Sequence, residues 1–291
     1  MNLYAPKYYK NFACKAQNCK HSCCVDWEID IDNKTLARYK TLNSLYKQTI
    51  DKSIEITDSA HFKLAQDKKC PHLNEDGLCN IIINVGEDYL CDICREHPRF
   101  YNFTNNGKEV GLGISCEEAC RVILNSDDYD RIEIIGEAEG APGIVDFNAI
   151  SERDTVYKIL KYDELDVDGK IGMIYDYYDI YLEDARIRKA LKKLEYLNND
   201  NKELFLKFNS KSLGDIEERK IERLIAYFVY RYCSEAESYD NFVTSLSFSL
   251  LCTFLIISIS NNDNIENMAR IASEEIEYSQ DNVDMLKGLF R

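Results

Sequence analysis

The placement of cysteine constrains this chain more than any other sequence feature. Ten of its 12 cysteines, and all four histidines, fall before residue 121. A thiolate is a soft ligand for zinc or for the iron of an iron–sulfur cluster, and four thiolates satisfy either. The first part of the chain is therefore predicted to be a metal-binding module. A subset of these residues would be the ligands: Cys14, Cys19, Cys23, Cys24, Cys70, Cys79, Cys91, Cys94, Cys116 and Cys120.

The spacing of these cysteines favours an iron–sulfur cluster and leaves zinc as the alternative. Zinc ribbons present two C-x2-C pairs, and only Cys91 and Cys94 have that spacing here. The C-x3-C-x2-C pattern of radical S-adenosylmethionine enzymes is absent, because Asp26 stands where the third cysteine would follow Cys19 and Cys23. Adjacent Cys23 and Cys24 point in different directions in extended backbone, so one is spare or two centres exist.

Charge and hydropathy narrow the function classes. The formal net charge of -15 argues against a nucleic-acid surface and suits either a cationic partner or simple solubility. The start of the chain resembles no signal peptide, so we expect a cytoplasmic protein with reduced thiols. The uncharged stretch from Phe242 to Ser260 carries seven Ser or Thr residues, and we interpret it as a buried helix rather than a membrane span.

The predicted fold is mainly α. A loop-rich cysteine region over 1–136 precedes a helical, bundle-like domain over 144–291, with a Gly- and Pro-containing boundary at 137–143. Apolar spacing over 31–50 predicts a helix capped by Asp32 or Asn33, and Asn105-Asn106-Gly107 predicts a small hairpin. Later helices are expected at 151–163, 170–197, 215–237, 241–260 and 264–290. Cys233 and Cys252 lie in these apolar helices and are interpreted as core residues.

Three sequence blocks resemble the bacterial flagellin lysine-N-methylases and their putatively metal-chelating relatives. They are FACKAQNCKHSCCVDW (Phe12 to Trp27), CPHLNEDGLCNIIINVGEDYLCDICREHPR (Cys70 to Arg99) and SCEEACRVIL (Ser115 to Leu124). Tyr230-Arg231 also looks like a family Tyr-Arg pair within a helix. Asp26 and His97 depart from the family pattern, but neither departure removes a thiolate.

The resemblance implies methyl transfer from S-adenosylmethionine to lysine amines of flagellin, in a protein that holds an iron–sulfur cluster, with 4Fe–4S as the expected type. Tyr230 would shape the pocket, and Arg231 would bind the donor carboxylate as a bidentate fork. The alternative for this pair is helix core and an internal ion pair. A second reading of the whole protein is a non-catalytic chelating or redox protein, and a third is a structural adaptor.

Direct methyl transfer requires a neutral amine, whereas an unperturbed lysine has a pKa of about 10.4. Aromatic walls lower that pKa by desolvation, and a carboxylate or phenolate can remove the proton. Trp27 could cover a methylated ammonium, although packing is the commoner role of a lone Trp. Gly111-Leu112-Gly113 lacks the third glycine of a dinucleotide fingerprint, so we do not expect a Rossmann methyltransferase fold.

Overall fold

The computed structural model describes residues 1–143 and 145–291, and these form two compact units. The thiol unit is Ala13–Pro98, and the helical unit is Met1–Phe12 together with Arg99–Arg291. This division differs from the predicted one at 137–143, because the first strand and the hairpin lie with the helices. The strands are β1 (Asn2–Pro6), β2 (Ile29–Asp30), β3 (Ile54–Ile56), β4 (Ala60–Phe62), β5 (Arg99–Thr104), β6 (Gly107–Leu112) and β7 (Ile132–Glu137).

The described helices confirm a mainly α chain. In the thiol unit they are α1 (Asn33–Thr41), α2 (Lys47–Ser53), α3 (Asn80–Val85) and α4 (Asp92–Glu96). In the helical unit they are α5 (Glu117–Leu124), α6 (Ala149–Leu160), α7 (Val167–Tyr178), α8 (Asp184–Leu191), α9 (Asp200–Phe205), α10 (Glu218–Tyr232), α11 (Tyr239–Ser258), α12 (Ile265–Glu277) and α13 (Gln280–Lys287).

Short elements around a small core build the thiol unit. Strands β2, β4 and β3 form an antiparallel sheet in that order. Helix α1 begins as predicted, because the Asp32 carboxylate accepts a hydrogen bond from the Thr35 amide at 2.8 Å. The predicted helix over 31–50 is wrong in its length, since the chain leaves helical geometry at Leu42 and α2 begins only at Lys47.

A four-stranded sheet opens the helical unit, in the order β5-β6-β1-β7. The predicted hairpin is confirmed: β5 and β6 pair antiparallel with Thr104 opposite Gly107. Strand β1 then adds parallel to β6 and antiparallel to β7. The amino-terminal strand thus joins residues more than a hundred positions away, which local sequence patterns do not encode.

Helix α11 is the centre of the helical unit. It is long and apolar enough to cross a membrane, but 83% of its most apolar window is buried within the protein. Helix α10 packs along it, and α12 and α13 also contact it. The prediction of a buried helix over this stretch is confirmed.

Two predicted helices are each divided in the structure. The helix expected over 170–197 ends at Tyr178, where Asp179 takes a left-handed conformation with φ of 51°, and α8 follows as a separate element. The helix expected over 264–290 breaks after Glu277, where the Ser279 hydroxyl caps α13 by accepting from the Asn282 amide. In both cases the polar residue ends a helical turn that apolar spacing alone would continue.

Candidate metal centre

Five of the predicted ligands gather in the core of the thiol unit. Cys70 and Cys91 are buried members of that core, and Cys24, Cys79 and Cys94 are half-buried and pack against it. Apolar side chains, including Ile29 and Phe62, complete the same cluster. Three separate stretches of sequence therefore place thiols in one apolar environment.

Backbone pairing brings Cys24, Cys70 and Cys79 together. The Cys70 amide donates to the Cys24 carbonyl at 2.8 Å, beside an antiparallel bridge between Val25 and Lys69. A second bridge joins Leu73 to Cys79 and closes the loop between Cys70 and Cys79. The pairing of Cys24 with Cys70 is non-local, so sequence spacing alone could not select the three cysteines.

Cys91 and Cys94 lie at the beginning of α4. The Arg95 amide donates to the Cys91 carbonyl at 2.9 Å, which forms the first turn of that helix. The Asp32 carboxylate that caps α1 also accepts from the Asp92 amide at 2.9 Å. The hydroxyl of Tyr39 in α1 lies 3.7 Å from the Cys91 sulfur. Helix α1 therefore holds the start of α4 at two points.

Hydrogen bonds and burial shift the pKa values of the five thiols in different directions. A hydrogen bond from Cys23 lowers the pKa of Cys24 to about 7. Burial raises the pKa of Cys70 to about 12 and also raises that of Cys79. The hydrogen bond shared by Cys91 and Cys94 lowers the pKa of Cys91 and raises that of Cys94. A metal centre would favour the thiolate form of all of them, because binding displaces the thiol proton.

The donor set consists of thiols, the ligand type that both zinc and iron–sulfur clusters take. Among the described residues, no three or more His, Cys, Asp or Glu side chains form a group that could hold a metal ion. The iron–sulfur cluster and the zinc alternative therefore both stay predictions.

The other predicted ligands lie outside this apolar core, although Cys23 forms a hydrogen bond to Cys24. Cys14 and Cys23 are exposed and Cys19 is half-buried, all in the thiol unit. Cys116 and Cys120 belong to the helical unit, where Cys120 is buried in the core and donates to the Glu266 carbonyl at 3.4 Å. Cys233 and Cys252 are core residues, as predicted. Which cysteines bind metal stays a prediction, now sharpened to the core set.

Sequence reasoning missed the polar residues that position this core. Asp32 was expected only to cap a helix, and Tyr39 was not singled out. His72 is fully buried, and its two ring nitrogens each lie 2.9 Å from a hydroxyl, of Tyr46 and of Ser53. Burial lowers the pKa of His72 to about 4, so it is neutral at pH 7. Both nitrogens are engaged, and His72 is a structural residue here.

Tyr230 and Arg231 have internal partners in the helical unit. The buried Tyr230 hydroxyl donates to the Val110 carbonyl at 3.2 Å. The Arg231 guanidinium lies 2.7 Å from the Glu277 carboxylate and over the Phe100 ring at 4.5 Å. Their assignment as catalytic residues stays a prediction.

Trp27 lies in the thiol unit, half-buried against the apolar core. Its indole donates to the Cys23 carbonyl at 2.7 Å. Packing, this hydrogen bond and a ring contact with His97 hold the indole next to the segment that carries Cys23 and Cys24. The predicted role in covering an ammonium group stays a prediction.

Comparison with known proteins gives partial matches. A lysine-N-methylase of Salmonella choleraesuis (strain SC-B67) and one of Salmonella typhimurium (strain LT2) are each 28% identical over 130 residues, 42% of this chain. The chain is similar to lysine-N-methylases. The flagellar biosynthetic protein FliU of Salmonella muenchen is also 28% identical over 130 residues, which cover 77% of its length. The resemblance expected from the sequence blocks is thus supported by these named relatives.

The match covers only part of the lysine-N-methylases. The matched segment spans about a third of the length of the two lysine-N-methylases, namely 32%. No family model matches the chain, and no solved structure matches it. The activity of these relatives is therefore only proposed for this chain.

Proposed function

We propose that the chain is a protein-lysine N-methyltransferase that transfers methyl groups from S-adenosylmethionine to lysine side chains of flagellin. The observation that carries the proposal is the similarity to proteins named lysine-N-methylase. The flagellar link is supported by the similarity to FliU, which is named as a flagellar biosynthetic protein. Flagellin as the substrate and S-adenosylmethionine as the donor follow from the resemblance of the cysteine blocks.

The proposal includes an iron–sulfur cluster held by four of the five core thiols. Cys24, Cys70, Cys79, Cys91 and Cys94 are the candidates, because they share one apolar core. When bound, a cluster of this kind supplies a redox-active iron centre or a structural cross-link. Ile29 and Phe62 limit the access of water to this core, while Asp32 and Tyr39 position Cys91. A single zinc ion remains the alternative metal.

Two finer parts of the proposal concern fold and location. The donor would bind outside a Rossmann fold, and in support the four-stranded sheet of the helical unit has one parallel pair, β1 with β6. Doubly wound sheets that bind nucleotides are instead mostly parallel. A cytoplasmic location is proposed because that compartment keeps thiols reduced and available to metal.

Co-expression with flagellin tests the activity. We expect the intact mass of flagellin to rise in steps of one methyl group, and isotope-labelled methionine to supply the added carbon. The Cys91→Ser variant should abolish the gain, whereas Cys233→Ala, a core cysteine of the helical unit, should preserve it. Unmodified flagellin beside folded, metal-loaded protein would contradict the proposal.

The second candidate is an iron- or zinc-chelating or redox protein without methyltransferase activity. The observation in its favour is that five thiols in one core can bind metal whatever the helical unit does. It predicts full metal loading and no binding of S-adenosylmethionine by calorimetry. An anaerobic absorbance spectrum with iron, sulfide and zinc analysis distinguishes the two metals, since an iron–sulfur protein is brown and a zinc protein is colourless.

A further inference from the structure

A shallow groove runs along α7 in the helical unit. Its volume is about 520 Å3, and its lining residues are Leu165, Gly169, Gly172, Met173, Asp176 and Tyr177. We call it the α7 groove. Leu165 and Met173 give it apolar walls, and Asp176 and Tyr177 stand at the end of the helix. Its lining combines apolar surface with a charge and an aromatic ring, as peptide-binding grooves do.

Two glycines lie on the helical face that lines this groove. Gly169 and Gly172 are three residues apart, so they lie on the same side of α7. Glycine in a helix interior is destabilising relative to alanine. A Cβ at Gly172 would meet no atom within 4 Å, so packing does not require glycine there. The absence of a side chain at Gly172 leaves space along the groove.

The groove ends at a cluster of tyrosines. Tyr177 is 60% exposed, and Tyr239 at the start of α11 is 45% exposed. Both rings contact buried Tyr178, with centroids 4.8 Å and 6.3 Å away. The Tyr178 hydroxyl donates to the Glu152 carboxylate at 3.0 Å, which fixes the central ring. The exposed rings of Tyr177 and Tyr239 thus both pack against the hydrogen-bonded Tyr178.

Carboxylates surround these rings. Burial raises the pKa of Tyr239, and the carboxylates of Glu152, Asp179 and Asp240 raise it further. Asp176 lies one residue before Tyr177 in the groove lining. Within 1–143 and 145–291, none of these four carboxylates forms an ion pair with Lys, Arg or His. Exposed aromatic faces beside carboxylates that have no cationic partner are surroundings that stabilise an ammonium group.

We propose that the α7 groove binds an extended polypeptide segment and that Tyr177, Tyr239 and the neighbouring carboxylates hold the ammonium group of its lysine. Charge complementarity selects this occupant, since the rings and carboxylates offer nothing to an anionic ligand. The apolar walls at Leu165 and Met173 contact the uncharged part of the segment. The inference rests on the proposed lysine methylation only for the identity of the natural partner.

Peptide binding to the full chain tests the groove directly. The probe is a short, end-blocked, fluorescently labelled peptide with one lysine, and its control has norleucine at that position. We expect the lysine peptide to bind, with an affinity that falls as salt is added, and the norleucine peptide to bind at least tenfold more weakly. Equal binding of the two peptides would overturn the proposal.

Variants of the groove locate the binding. Tyr177→Ala and Tyr239→Ala should each weaken binding about threefold to fivefold, as expected for loss of an exposed cation–π contact. Gly172→Phe should block the groove, whereas Gly172→Ala, which changes the backbone preference alike but adds one methyl group, should not. Asp263→Asn removes an exposed charge outside the groove lining and serves as the control for charge. Unchanged affinity in Tyr177→Ala and Gly172→Phe would overturn the proposal.

Methylation assays separate this proposal from the proposed function. If wild-type protein methylates flagellin and Gly172→Phe raises KM with kcat retained, both stand. If methylation by Gly172→Phe matches wild type and the peptide still binds it, the groove inference fails and the function stands. If wild type binds the lysine peptide through the groove but never methylates flagellin, the groove stands and the function fails.

Discussion

The two units of this chain obtain stability in different ways. The thiol unit has nine buried apolar core side chains among its described residues, and two of them are cysteines. The helical unit surrounds α11 with a far larger apolar core and contains ion pairs sealed within it. A small domain with so little apolar burial usually depends on a cross-link such as a disulfide or a metal. The comparison teaches that the thiol unit has less apolar packing to stabilise it, and the proposed metal would make up the difference.

Buried charged side chains in the helical unit form a hydrogen-bonded ion pair. Arg153 lies 2.7 Å and 2.8 Å from the two carboxylate oxygens of Glu109, and 2.8 Å from the Ser234 hydroxyl. Both charged side chains are 3% exposed. An apolar core can hold such pairs because each charge keeps several hydrogen bonds. The core of the thiol unit buries thiols where the helical unit buries ion pairs. A bound metal would replace the protons of those thiols.

The largest predicted effect follows from removal of one core thiol. Cys91→Ser should lower metal content and unfold much of the thiol unit, because a structural metal contributes on the order of 10 kcal/mol to small metal-binding domains. Hydrogen exchange read by mass spectrometry should show lost protection within 13–98 and retained protection in α10 and α11. Cys233→Ala is the matched control and should keep its metal. Native protection of both units in metal-free Cys91→Ser would break the comparison.

A buried carboxylate supplies the next effect, in the helical unit. Glu277 is 2% exposed, forms an ion pair with the Arg231 guanidinium at 2.7 Å, and accepts a hydrogen bond from the Tyr232 hydroxyl at 2.7 Å. Glu277→Gln leaves the Arg231 charge without its counter-charge, so the free energy of unfolding should fall by about 3–5 kcal/mol. Urea denaturation measures it. The double variant Arg231→Met/Glu277→Gln should recover part of the loss, and a neutral single variant would show that the pair is dispensable.

A smaller effect should follow loss of the cap on α1. Asp32→Ala removes the acceptor for both the Thr35 and Asp92 amides, which should cost about 1–2 kcal/mol in the thiol unit. Because Asp92 directly follows Cys91, metal affinity should fall as well. Chelator competition measures the affinity, and Asp30→Ala, an exposed change on β2, is the comparison variant. Equal metal affinity in Asp32→Ala and wild type would separate α1 from the metal centre.

The smallest effect is a pH dependence in the helical unit. A hydrogen bond from Lys7, at 2.8 Å, lowers the pKa of Asp128 below its usual value. A lowered pKa stabilises the folded state above the unfolded value of about 3.9, and this contribution is lost as pH falls through the folded pKa. Asp128→Asn should therefore have lower stability than wild type at pH 7 and the same stability near pH 2. Thermal melts across that range measure the difference, and a constant difference would exclude the linkage.

Local signals predicted several parts of the structure correctly. The cap at Asp32, the hairpin around Asn105-Asn106-Gly107 and the buried helix α11 all follow from residues within one or two turns of each other. The helix breaks at Asp179 and Ser279 were missed, because apolar spacing continues across them while a single polar residue redirects the backbone.

The candidate site was predictable as chemistry but not as geometry. Ten cysteines indicated metal binding, yet backbone pairing brings Cys24, Cys70 and Cys79 together. Contacts of α1 with the start of α4 position Cys91 and Cys94. The partner of Arg231 likewise had no sequence signal, because Glu277 lies on a different helix, α12.

The sequence by itself therefore determined the residue types available, where the thiols are concentrated, and which stretches are helical. Only the tertiary structure decided which thiols share a core, where β1 pairs, and which charges are buried together. The physical reason is the sequence separation over which each kind of interaction acts. Capping, turn and periodicity preferences act over a few residues, whereas strand pairing and core formation depend on the free energy of burying surfaces from distant segments.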